Sequence, residues 1–109
     1  MGPASEEALQ SGKIRVQVNP ILVELVPIYL RRRDEDVRTL VSMLETGDFL
    51  KIQTVGHKLC GNASTYGFHE LSRIGSQLEA AAKAHEVSKI EELTRDLTTY
   101  LRRLEVVFC

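Results

Sequence analysis

The spacing of its apolar residues is what most narrows the folds open to this chain. Four successive segments repeat them at intervals of three and four, the period of one face of an α-helix. Leu30, Val37, Val41 and Leu44 mark the first over 27–45, and Phe49, Ile52, Gly56, Leu59 and Ala63 the second over 49–64. Leu71, Ile74, Leu78 and Ala82 mark the third, and Ile90, Leu93, Leu97, Leu101 and Leu104 the last. Gly47 stops the first helix, Asp48 caps the second, Tyr66 and Gly67 break the chain, and Ser88 caps the fourth. Amphipathic helices joined by so few residues imply an all-α fold, an antiparallel up-and-down four-helix bundle. Asn19 and Pro20 add a short N-terminal helix, a capping side chain followed by proline at the first position, with Ile21, Leu22 and Leu25 as its apolar face. Pro27 either kinks that helix or opens the next one. No strand pattern of consequence competes. Ile14, Val16 and Val18 alternate with polar residues and read as a short extended arm packed along the bundle.

At 109 residues the chain has room for one domain with a modest core. Residues 1–13 are small and polar and read as a flexible tail, which leaves 14–109 for the domain. A net charge of −1 supplies no basic field of the kind nucleic acid requires. No apolar stretch reaches membrane-spanning length and the N-terminus lacks a signal peptide's apolar core, so a cytoplasmic protein is expected. Cys60 and Cys109 form neither a disulfide framework nor a paired metal motif, which suits a reducing compartment. The charge run over 31–36, three arginines and then Asp34, Glu35 and Asp36, reads as a solvated helix face of local ion pairs.

Residues 56–68 are the most informative part of the chain. At about 100° per residue, His57 falls well away from the apolar stripe of its helix, on the side shared by Gly61 and Ser64. Helical side chains lean toward the N-terminus, so residues 60 and 61 are the ones placed to shade the imidazole. Gly61 has nothing with which to shade it. A mid-helix glycine costs about 1 kcal/mol relative to alanine, and this helix carries two, Gly56 and Gly61. On these residues alone His57 reads either as an ordinary solvated surface histidine or as an open, nucleophilic one that another protein's active site must reach. In the third segment Gly75 allows the close approach of a neighbouring helix.

The pattern His57-x-Leu59-x-Gly61, small polar residues after it, and Tyr66-Gly67-Phe68 centred ten positions beyond the histidine resemble the signature of histidine phosphotransfer (HPt) domains. The likeness continues through Leu71, Ile74, Leu78 and Glu79 and spans residues 16–106. It implies that His57 takes a phosphoryl group on Nε2 from the aspartyl phosphate of a response-regulator receiver domain, or from a histidine kinase, and returns it to a receiver aspartate. The receiver would bring the Mg²⁺, and the chain would need no cofactor of its own and would act as a monomer. Family members commonly place a glutamate or glutamine where this chain has Glu79, to bond Nδ1 and leave Nε2 unprotonated. Cys60, Gly61 and Ser64 would form the docking surface. One departure stands out: the family usually carries lysine three positions after the histidine, and here that position is Cys60. Lys58 is about 100° away on the helix, a possible phosphoryl contact through its flexible stem.

The residues alone leave other functions open. No phosphate-binding glycine loop, Walker lysine or acidic magnesium cluster occurs, so the chain is not expected to use ATP. A docking adaptor that binds receivers without transferring phosphate would share the same surface. His57 and Cys60, three apart, could also be half of a zinc or haem site completed by His69, His85 or Cys109. Alternatively, His85 near a helix end interacts with the helix dipole, and Cys109 is an incidental exposed thiol.

Overall fold

The computed structural model describes residues 12–109. Helix α1 (Val26–Thr46) ends at Gly47, whose φ of 71° lets Gly47 and Asp48 donate their N–H groups back to Leu44 and Met43. Asp48 then caps helix α2 (Phe49–Ala63), its Oδ1 accepting from the Lys51 N–H at 3.1 Å. A 3-10 turn (Ser64–Tyr66) and Gly67 lead into α3 (His69–Lys83), and α4 (Val87–Arg103) follows. The α3–α4 reversal uses His85 in the left-handed region, φ 54°, with His85 and Glu86 donating to Ala82 and Ala81. Those bonds already aim the chain, so α4 opens at Val87 behind Glu86, and Ser88 is not its cap. The His85 ring stacks on Phe49, centroids 4.2 Å apart, which fastens this reversal to the start of α2.

The four helices enclose one core, in which Leu40, Ile52, Leu59, Phe68, Leu71, Ile74, Leu78, Ile90, Leu93 and Leu97 are fully buried. The contact between α2 and α3 is the most extensive, and its cause is a pair of facing glycines. A Cβ placed on Gly56 would stand 2.6 Å from the Glu79 nitrogen and 2.7 Å from the Gly75 carbonyl oxygen. One placed on Gly75 would stand 2.5 Å from the Cys60 nitrogen and 2.8 Å from the Gly56 oxygen. Neither glycine can carry a side chain without moving backbone, so the two helices touch main chain to main chain.

Several expectations change at the ends of the chain. The short N-terminal helix shrinks to one 3-10 turn (Pro20–Leu22), capped as expected by Asn19 Oδ1 on the Ile21 N–H at 3.0 Å. Pro27 has no N–H to donate to the Val23 carbonyl, so a helix begun at Pro20 does not run on and α1 starts afresh at Val26. Ile21 and Leu25, assigned to an apolar face, are 81% and 51% exposed. On α1 the buried line passes through Val26, Tyr29 and Leu40, which leaves Val41 48% exposed instead of in the stripe. The last helix stops at Arg103. Leu104 begins a strand, β2 (Leu104–Phe108), which pairs in parallel with β1 (Ile14–Val18), Ile14 opposite Leu104 and Val18 opposite Phe108. The extended arm therefore has a strand partner, rich in the β-branched and aromatic residues that favour one. Of the tail expected over 1–13, all but Gly12 and Lys13 lies outside the described residues, and Lys13 pairs with Glu105 at 3.0 Å.

Gly56→Ala and Gly75→Ala are each expected to lower stability by about 1–3 kcal/mol through overpacking, more than the gain of about 1 kcal/mol from replacing glycine in a helix. Urea denaturation reads this as a lower midpoint at constant slope. An unchanged or higher midpoint for either variant would show that the helices separate at little cost.

Candidate functional site

The glycine contact carries the site with it. His57 follows Gly56 directly, and Glu79 stands one helical turn beyond Gly75, so drawing the two backbones together brings these side chains to one seam. His57 Nδ1 lies 3.1 Å from Glu79 Oε2. The histidine side chain is 74% exposed and the glutamate 23%, which places the acceptor at the boundary between core and solvent. A carboxylate can only accept, so Nδ1 carries the hydrogen and donates it. In the neutral ring Nε2 is then the nitrogen without a hydrogen, and among the described residues it has no hydrogen-bond partner.

Around the ring the helix is bare on one side. A Cβ on Gly61 would meet nothing within 4 Å, and Gly61 and Ser64 are both exposed. Cys60 is half-buried on the flank that faces α3, where its carbonyl accepts from the Ser72 hydroxyl. Lys58 is exposed on the opposite flank, toward α1, where its charge acts on Asp36. Burial raises the Asp36 pKa, against the lowering effect of Arg33 and Lys58. Lys83 enters from α3, with Nζ 3.9 Å from the same Glu79 oxygen that binds the ring. It was absent from the sequence reading, although its place four residues after Glu79 on one helix was a readable signal.

Beyond Gly61 the helix is buttressed from α1. Tyr29 donates its hydroxyl to Asn62 Oδ1 at 2.7 Å, and Arg33 Nη1 donates to the same oxygen at 3.2 Å. The Arg33 guanidinium also lies over the Tyr29 ring and pairs with Asp36 at 2.9 Å. With a side chain only 11% exposed, Arg33 is no part of a solvated charged face. Tyr66 stacks on Tyr29, centroids 4.3 Å apart, and burial raises the Tyr29 pKa above its ordinary value. These residues hold the C-terminal half of α2 so that the bare surface around Gly61 has a fixed shape.

The arrangement offers a clothed Nδ1, an open Nε2 and room in front of it. Among the described residues no three His, Cys, Asp or Glu side chains come together to hold a metal ion, so His57 and Cys60 have no third ligand there. His85, one proposed completion, is engaged with Phe49 at the α3–α4 reversal. No helix of the described residues is long and apolar enough to cross a membrane. A family model described as the Hpt domain matches residues 24–106. No curated protein and no solved structure matches the chain.

Gly61→Ala is expected to raise stability by about 0.5–1 kcal/mol, because the helix gains a better former and the new methyl meets only solvent; a lower thermal midpoint would contradict the open space described. Glu79→Ala should leave the helices intact and release the ring. The ¹⁵N–¹H spectrum of the imidazole would then show a mixture of tautomers, and an unchanged spectrum would remove Glu79 from the role of orienting acceptor.

Proposed function

This chain belongs to the Hpt domain family, and from that premise we propose that it is a phosphorelay intermediate whose His57 carries the phosphoryl group. The observation that supports this most directly is the exposed imidazole itself, with Nδ1 engaged by Glu79 and Nε2 open beside a side-chain-free Gly61. The pairings 56 with 79, 60 with 75 and 60 with 72, and 29 with 62 beside 36 with 58, rise along one helix as they fall along the next, which supports reading the helices as an antiparallel up-and-down bundle.

In the proposed reaction the Nε2 lone pair attacks the phosphorus of an aspartyl phosphate on a receiver domain. The N–P bond forms as the P–O bond to the aspartate breaks, and that electron pair leaves with the carboxylate. Nδ1 keeps its hydrogen throughout, so the phosphorylated ring gains a formal positive charge, which the Glu79 carboxylate offsets. Transfer to a second receiver is the same exchange in reverse. The imidazole side chain is 74% exposed, so the receiver supplies the enclosing site and the Mg²⁺ that neutralises the phosphoryl oxygens. Gly61 and Ser64, with Cys60 at their edge, form the face that the receiver covers, and Lys58 is a cation near that face. A histidine kinase could load the same nitrogen. The cytoplasm, where receivers and kinases meet, is the proposed location, and the acting unit is a monomer.

Incubation with receiver domains phosphorylated on aspartate should place acid-labile, base-stable phosphate on this chain and none on His57→Gln. Gly61→Gln should bind and transfer at least about tenfold more slowly, since its side chain leans across the imidazole. Receiver binding without label on the wild type would favour the adaptor reading, and label persisting on His57→Gln would remove the site.

A further inference from the structure

We infer that Lys83 is the cation that receives the phosphoryl group as it arrives on His57, in the role left vacant by Cys60. This inference rests on the phosphotransfer reading. Three observations carry it. Lys83 Nζ stands 3.9 Å from Glu79 Oε2, and that oxygen is itself 3.1 Å from His57 Nδ1, so one carboxylate oxygen links the ammonium to the ring. The direction of the helices is the second. Gly56 lies against Gly75 and Cys60 accepts from Ser72, so α2 and α3 run in opposite senses. Lys83, the last residue of α3, therefore lies toward the N-terminal turns of α2. A helical side chain leans over the turn before it, so the imidazole leans toward Lys83 and away from Cys60.

The third observation is how loosely Lys83 is held. A well-made charge-assisted contact is about 2.7–2.9 Å long, and the pair with Glu79 is wider, with the lysine side chain 59% exposed. A flexible four-carbon stem can carry the ammonium from the carboxylate toward a phosphoryl group bearing a charge of roughly −1.5 to −2. Lys58 begins on the other flank, where Asp36 feels its charge. Lys83 thus acts twice, steadying Glu79 before transfer and meeting the phosphoryl oxygens during it. No bond to Lys83 forms or breaks, and its proton stays on Nζ.

The test uses phosphoramidate, a small donor that labels histidine without a partner protein, on the full chain and its variants. Lys83→Gln should slow labelling of His57 by about two- to fivefold, the range for a charge contact open to solvent, while Lys83→Arg keeps most of the rate. The loss should persist in the Glu79→Gln background, where a neutral side chain no longer needs a cation. Disappearance of the loss in that background would overturn the inference, because Lys83 would then act only through Glu79. So would a Lys83→Gln rate equal to wild type with only a lower thermal midpoint, the result for a lysine that serves the α3 helix terminus. Label is read at position 57 by peptide mapping, because His69 and His85 are exposed too; phosphorylated receivers that leave position 57 unlabelled would overturn the phosphotransfer reading, whatever the lysine variants do.

Discussion

Everything that distinguishes this bundle depends on two helices touching at glycine. Ordinary helix pairs sit about 8–10 Å apart because side chains fill the space between them. At Gly56 and Gly75 there is none, and the backbone of α2 rests on that of α3. The close contact fixes the register of the pair, since shifting by one residue in either direction would drive a side chain into main chain. With the register fixed, the positions of His57 and Glu79 follow without adjustment. The site is therefore a by-product of packing, and the rigidity of the imidazole's setting is inherited from the core.

Much of this was legible because each element carries its own punctuation. The α2 stripe, the Asp48 cap, the stop at Gly47 and the break at Gly67 all sit where periodicity and turn chemistry place them. His57 was readable as exposed, and Gly61 as bare, from angular position alone. The unread parts share a physical cause: they depend on partners distant in sequence. Arg33 belongs by local pattern to a charged surface run, and only the packing of Tyr29 and Asn62 draws it inward. β2 continues a helical stripe as far as Leu104, and its identity as a strand is decided by β1, 90 residues earlier in register. Tertiary context overrides propensity at such junctions. Val41 failed for a subtler reason, since a stripe drawn only on α1 cannot tell which edge of the helix α2 and α4 leave uncovered.

The electrostatics of the site are those of an incomplete centre. A carboxylate and an exposed ammonium lie on one side of the ring, Lys58 stands on the opposite flank, and the space over Gly61 is open. Enzymes that act alone surround their reacting atoms with fixed charges. This surface instead presents one exposed imidazole with Nδ1 engaged by a carboxylate and Nε2 open.

The parallel pairing of β1 with β2 has a mechanical consequence. In a parallel pair, the first residue of one strand and the last residue of the other lie at opposite ends of the ribbon. Tension applied through the chain before Ile14 and after Phe108 therefore runs along the ribbon and loads its hydrogen bonds together, in shear, instead of opening them one at a time. The Lys13 and Arg15 contacts with Glu105 brace the same ribbon. Force entering at the two ends crosses from β1 to β2 through the paired backbones, so the ribbon is the first element to resist it, ahead of the helices that carry the imidazole.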